Sequence, residues 1–188
     1  MRTTKKTVRK YFKYTYEPWE MPALTANGTI GGGNYACAAS TTYTGYAYYA
    51  FDNNTATGWY GNANGDWITF YSPVPIKVSS IYIDTVPYYG SNGFDIYGSN
   101  DNSTFTYLAS GSIPINSSGT VDVNATSAYQ YIRVTTTSVN VGRSGFDEIK
   151  INATQQTITP GTSSDYDFYI DVDEFRDVNI GNKHYVSA

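Results

Sequence analysis

An antiparallel β-sandwich is the fold class this sequence predicts, on three observations: short runs of alternating apolar residues, turn clusters between them, and a composition poor in charge. The runs fall at residues 67–71, 76–83, 94–97, 105–108, 120–123, 129–135 and 148–151. Within them Ile81 and Ile83, Phe94 and Ile96, Val121 and Val123, Ile132 and Val134, and Ile149 and Ile151 each put apolar side chains on one strand face. Between the runs lie Gly98-Ser99-Asn100-Asp101-Asn102-Ser103, Asn116-Ser117-Ser118-Gly119 and Val141-Gly142-Arg143-Ser144-Gly145. These clusters turn the chain through Asx hydrogen bonds or through glycine at positive φ. No helical period competes, so the class is all-β. With 20 Tyr, 17 Gly and only 15% charged residues, the usage is that of a turn-rich β protein.

The 188 residues make one domain of ordinary size with tails. Residues 1–20 read as a basic arm, carrying Arg2, Lys5, Lys6, Arg9, Lys10 and Lys13. Residues 21–49 predict one early strand and a long Tyr-rich loop. Their Gly31-Gly32-Gly33 has no Lys-Ser/Thr after it and no helix to open, so it is no phosphate loop. The sandwich spans 21–154. Residues 155–164, polar and containing Pro160-Gly161, read as a linker. Residues 165–188 read as a short acidic extension holding Asp165, Asp167, Asp171, Asp173, Glu174 and Asp177.

A net charge of -4 excludes a general nucleic-acid binder, which needs clustered Lys and Arg. The two ends are nevertheless opposite in sign. They are either solvated tails or surfaces that dock on each other or on neighbouring subunits. Cys37 is the single cysteine, so no internal disulfide is expected. The basic start passes directly into Tyr11-Phe12-Lys13-Tyr14 without an apolar stretch of signal-peptide length, and no run is long enough to span a membrane.

The segment Ala50-Phe51-Asp52-Asn53-Asn54-Thr55-Ala56-Thr57-Gly58-Trp59 is too rich in Asn, Thr and Gly for a strand or helix, yet it is flanked by aromatics. Its polar groups need a partner. With Asp52 and the distant Glu148 as carboxylates, Thr57 as a hydroxyl and irregular backbone for carbonyls, the oxygen-only set suits Ca²⁺. Alternatively, Asp52 and Glu148 only cap turns.

Five segments in order carry a resemblance to a known family. Ala50-Phe51-Asp52-Asn53-Asn54 with Thr57 and Trp59 resembles an Ala-Phe-Asp-Gly-Asn-x-x-Thr-x-Trp loop, with Asn53 in the Gly place. Asp66-Trp67-Ile68-Thr69-Phe70 resembles the strand after it. Phe94 to Phe105 resembles Phe-x-Ile-x-Gly-Ser-Asn-Asp-Gly-x-x-Trp, with Phe105 for Trp. Tyr131-Ile132-Arg133-Val134 and Asp147-Glu148-Ile149 resemble the last two strands. Together these are similar to the discoidin, or coagulation factor V/VIII type C, domains and the family-32 carbohydrate-binding modules. The resemblance implies a galactose-binding-like jelly-roll β-sandwich with a structural Ca²⁺. By family pattern the ligands are the carbonyls of Tyr49, Asn54 and Asp147, the side chains of Asp52 and Glu148, and the carbonyl and hydroxyl of Thr57.

The resemblance also implies binding of glycans without catalysis. The residues agree: His184 is the single histidine and sits in the tail, Cys37 has no companion, and Asp171 and Asp173 fall outside the sandwich. A sugar site needs aromatic faces and planar polar groups. Tyr60, Asn62, Tyr88, Tyr89 and Arg143, with Asn64 beside them, are the candidates. Trp59 and Trp67 are expected in the core. Lys13 to Trp19 and Leu24 to Thr29 resemble the openings of phage discoidin-like proteins. The expected setting is therefore a virion: a multi-copy tail, fibre or capsid-surface protein whose arm and extension contact other virion proteins. A purely structural decoration protein and a module accessory to a glycoside-active enzyme are the alternatives.

Overall fold

The computed structural model describes residues 2–88, 90–163, 168–178 and 185–187, with backbone alone at 2–6, 168–178 and 185–187. The chain divides into two compact units: Glu17–Gln156, and a unit made from both ends, Met1–Tyr16 with Thr157–Ala188. Tyr89 and His184 lie outside the described residues. Among the described residues no helix is long and apolar enough to cross a membrane.

The larger unit is built around one strand. β4 (Trp67–Asp84) merges the runs expected separately at 67–71 and 76–83. Its first half pairs with β2 (Ala36–Ala39) and β8 (Tyr129–Val139), and its second half with β7 (Ser118–Asp122) and β10 (Glu148–Gly161). Between the halves the register shifts from Tyr71 to Ile76. Pro73 and Pro75 sit there, where their missing N–H groups cost no ladder bond, and Ser72 Oγ donates to the Val74 carbonyl at 2.6 Å. Across this irregularity the strand exchanges β2 and β8 for β7 and β10 as neighbours. β8 pairs onward to β5 (Ser91–Ser99), and β5 to β6 (Thr106–Ser112). The expected sandwich is thus the observed one.

Its core follows the alternation read from the sequence. Ile68, Phe70, Ile81, Ile83, Phe94, Ile96, Ile132, Val134 and Ile149 are buried, together with Phe51, Trp59 and Phe146. Phe51 meets Phe70 at 5.4 Å between ring centroids, and Phe94 meets Phe146 edge-on at 6.0 Å. Trp67 departs from expectation: it is half-buried on the outer face, with the Arg133 guanidinium 3.9 Å above its ring and Phe105 3.7 Å from the same guanidinium on the other side. Phe105 therefore supplies the aromatic face of the Trp it replaces in the family pattern.

The unit formed by the two ends takes one of the two alternatives left open by the sequence, and in one respect it differs from the sequence reading. The basic arm is a strand, β1 (Arg2–Trp19), paired antiparallel with β11 (Phe168–Val178), which pairs in turn with β12 (Tyr185–Ser187). The register sets Lys6 opposite Glu174 and Arg9 opposite Asp171, so of the two alternatives the ends of opposite sign take the one in which they dock on each other. Residues 155–161 of the expected linker 155–164 continue β10; Thr157, Ile158 and Thr159 are good strand formers, and the Pro160-Gly161 break comes only at the strand's end.

Candidate metal site and ligand-binding loops

The Ala50 to Trp59 segment leaves a 3₁₀ turn (Ala47–Phe51) and forms a loop closed mostly by its own residues. The Asn54 N–H donates to Asp52 Oδ1 at 2.9 Å, and the Ala56 N–H to Asn54 Oδ1 at 3.1 Å. Thr57 Oγ1 lies 2.7 Å from Asp52 Oδ2 and 2.8 Å from the Asn54 carbonyl. Asn53 has φ of 59°, the left-handed geometry that glycine supplies in the family pattern and Asn tolerates. β3 (Trp59–Tyr60) then pairs with β9 (Gly145–Phe146), which brings the 147–148 segment against the loop. Gly58 permits this approach, since a Cβ there would lie 2.6 Å from Asp147 Oδ1.

Glu148 is buried, and its Oε2 has no hydrogen-bond partner among the described residues. Burial pushes its carboxyl up to about 7; Asp52 pushes the same way, while Lys150 and the Asn54 and Ile149 N–H groups pull it back. Asp147 is raised to about 6 by burial and by Asp84, with Tyr60 opposing. Two acids are thus held where their ionised forms lack compensation. Glu148 also borders a pocket of about 390 Å³ shared with Trp19, Met21, Phe51, Asn53 and Lys150.

The expected ligand residues sit on loops fastened to one another across the chain. Asn62, exposed, donates its N–H to Asp66 Oδ2 at 2.6 Å and lies 3.1 Å from Thr41 Oγ1. Asn64 Nδ2 donates to the Thr137 carbonyl, and Asn140 Nδ2 to the Tyr88 carbonyl. Asp66 is the hub: its carboxylate also accepts from Ser40 Oγ, Thr41 Oγ1, the Ala63 N–H and Ser144 Oγ. Burial alone would raise its pKa, yet these donors outweigh it and hold the carboxyl below its ordinary value. Arg143 lies 3.5 Å over the Tyr43 ring. Tyr60 is half-buried, its hydroxyl 3.5 Å from Asp147 Oδ1.

The model of the F5/8 type C domain family matches residues 36–157. This chain belongs to that family. Its β-sandwich is that of family-32 carbohydrate-binding modules. The module of AlyQ, solved with 4,5-unsaturated mannuronic acid, is 25% identical with a TM-score of 0.55, covering 62% of this chain and 92% of that one. A module from Clostridium perfringens NanJ, solved with galactose, is 20% identical with a TM-score of 0.54, over 62% and 92%. Another from the same organism, in complex with GalNAc-β-1,3-galactose, is 16% identical with a TM-score of 0.57, over 64% and 96%. No curated protein sequence matches the chain.

For this F5/8 type C domain the donor set fits a hard cation. Asp52, the Thr57 hydroxyl and the Asn54 carbonyl converge within one loop, and Asp52 and the Asn54 N–H act on the buried Glu148, whose Oε2 is orphaned. No three His, Cys, Asp or Glu side chains cluster for a metal among the described residues, so such a site depends on backbone oxygens. Two further residues of the candidate loops escape a reading of the sequence. Tyr43, 50% exposed under Arg143, looks there like one Tyr among many; only the pairing of Thr44 with Tyr60 places it. Val141, 56% exposed, holds φ of 52°, which a β-branched residue rarely adopts. The Asn140-Val141-Gly142-Arg143 turn signal could have found it.

Proposed function

We propose that this chain binds glycans through Tyr43, Asn62, Tyr88, Val141 and Arg143. The observation that carries the reading is the Arg143–Tyr43 stack, standing among loops that also expose Tyr88 at 61% and the strained Val141. Tyrosine faces take the apolar side of a sugar ring, and a guanidinium with neighbouring amides takes its hydroxyls or a carboxylate. Asp66 keeps the loops in place, so little is lost to ordering on binding. Tyr60, turned toward Asp147, supports the site from beneath. No residue is assigned a catalytic role. A glycan array with the full chain in Ca²⁺ tests the reading; failure to bind any glycan would remove it.

The proposed cofactor is a structural Ca²⁺ held by Asp52, Thr57, Glu148 and the carbonyls of Tyr49, Asn54 and Asp147. It would compensate the buried Glu148 carboxylate and fix the 52–57 loop against the 147–148 segment. The proposed setting is a bacteriophage particle, in which the chain is a multi-copy structural protein that attaches the particle to glycans. The resemblance of residues 13–19 and 24–29 to phage openings supports it. Peptides of this chain should appear in purified particles; their presence in lysate but absence from particles would refute the setting.

A further inference from the structure

Glycan binding at Tyr43 and Arg143 leaves one aromatic cluster of the domain unused. Tyr46, Tyr48 and Tyr49 stand on the 3₁₀ turn that leads into the 52–57 loop. The Tyr46 and Tyr48 rings stack with centroids 5.6 Å apart and planes 17° from parallel, and Tyr49 meets the two edge-on at 5.3 and 4.7 Å. The turn sorts its residues by size. Positions i and i+3 of a 3₁₀ helix eclipse, so Ala47 and Ala50 share the face that is buried with Phe51, while Tyr46 and Tyr49 share another. The Tyr49 N–H closes the turn on the Tyr46 carbonyl at 3.0 Å, and the Tyr48 N–H donates to Asn27 Oδ1 at 3.1 Å. Tyr48 packs back against the core and anchors the stack, whereas Tyr46 is 56% exposed.

The cluster adjoins the glycan loops along the chain. Tyr43 and Tyr46 are three residues apart, which places their Cα atoms within about 11 Å of each other. Gly45 fixes the angle between them: its φ is 75°, and a Cβ there would collide with the Gly58 carbonyl and touch the Tyr49 ring. The pairing of Thr44 with Tyr60 holds the same segment from the other side. Rings that brace one another lose little freedom when a ligand covers the outermost, and tyrosine offers a flat apolar face with a hydroxyl at its tip. We propose that Tyr46, braced by Tyr48 and Tyr49, is a second stacking platform, which takes a further ring of a glycan whose first ring sits at Tyr43 and Arg143. This rests on the glycan site proposed for those residues and extends its ligand from a single sugar to an oligosaccharide. Thr42 and Thr44, both exposed, flank the path between the two rings and supply hydroxyls to it. The size of the platform selects the ligand. A tyrosine offers about 150–250 Å² in all, far below the roughly 800 Å² that a stable protein partner covers, yet enough for one sugar ring.

Isothermal titration calorimetry of the full chain tests the proposal. The probes are galactose, glucose, mannose, N-acetylglucosamine and galacturonic acid, each as the single ring and as its di- and trisaccharide. In at least one series the native chain should bind a longer glycan about tenfold more tightly than the single ring. Tyr46→Ala should remove roughly three- to tenfold of that gain and leave the single-ring affinity unchanged, whereas Tyr46→Trp, which keeps a stacking face, should preserve the gain. Tyr46→Leu, which keeps an apolar contact with Tyr48 but loses the flat face, serves if circular dichroism shows the alanine variant misfolded. Tyr107→Ala removes a tyrosine of similar exposure, 55%, from β6 and should change neither affinity. No gain with length in any series, a gain that survives Tyr46→Ala, or an equal loss for single rings and longer glycans would overturn the platform and leave the glycan site standing. A native chain that binds none of these probes overturns the platform, and a glycan array without binders removes the glycan site as well.

Discussion

The 52–57 loop and the ligand loops use the same residue types, Asn, Thr, Tyr and Gly, and are held together by opposite means. In the first, Asp52, Asn54, Ala56 and Thr57 bond within a few residues of one another, and only Glu148 comes from afar. In the second, almost every bond crosses the chain: Asn62 to Thr41, Asn64 to Thr137, Asn140 to Tyr88, Asp66 to Ser40 and Ser144. The first is therefore encoded in a contiguous motif, and the cation proposed for it would come from outside the chain. The second is encoded in strand pairing and depends on one buried anion that the protein supplies itself.

The largest test of this contrast is Asp66→Ala. It strands five donors, and charge-assisted networks of this kind are worth about 3 kcal/mol or more. Urea unfolding should show that loss and glycan binding should disappear, while the response to chelator persists. A loss below about 1 kcal/mol would mean that Asp66 is no hub. Next comes the cation. At 100 times its dissociation constant Ca²⁺ should stabilise by about 2.7 kcal/mol, or roughly 5–10 °C in Tm for a domain of this size. EDTA should remove that increment from the native protein and have no effect on Glu148→Gln or Asp52→Asn. A native Tm indifferent to both Ca²⁺ and EDTA would end the metal assignment.

A pH series separates the two regions further. The Glu148 carboxyl, raised to about 7 in the metal-free fold, binds a proton that the unfolded chain has already released above its ordinary 4.5. Its contribution is therefore full at low pH and lost as pH rises through about 7; Asp147 adds the same sign near 6. Metal-free protein should lose Tm between about pH 5 and 8, and Ca²⁺ should abolish the slope. Asp66, held low, contributes the opposite sign, lost only in acid. Smaller effects belong to the ligand loops. Arg143→Ala and Tyr43→Ala should each weaken glycan binding about tenfold, or about 1.4 kcal/mol, with little change in Tm. Val141→Gly should relieve about 1 kcal/mol of backbone strain while weakening the same binding; stabilisation without loss of affinity would remove Val141 from the site.

The same contrast explains what was legible in the sequence. Asp52, Asn54 and Thr57 lie within one motif and Asp147-Glu148 opens another, so the residues proposed to hold the cation, Tyr49 with them, could be named before any fold was known. The sandwich was equally plain, because the alternation at Ile81/Ile83 or Ile132/Val134 is local. Arg143 was legible as a cation in a turn, but its partner Tyr43 was not, since nothing in Thr42-Tyr43-Thr44 distinguishes that ring from Tyr46 or Tyr48. That Tyr60 stands beside Asp147 was not legible, since only the pairing of β3 with β9 carries it there. Trp67 looked apolar enough for the core; the period of two, counted from buried Ile68, puts it on the other face. The opposite charge of the ends was visible, but the β1–β11 register that uses it involves partners too far apart in sequence to read.

β4 is paired along both edges, by β2 and β8 in its first half and by β7 and β10 in its second. Its amides can open only when the strands on both edges come away together, so hydrogen exchange should be slowest there and fastest at the exposed 102–104 turn. The same asymmetry ranks the chain for engineering: a tag, label or inserted epitope belongs at that turn, and none belongs between Trp67 and Asp84.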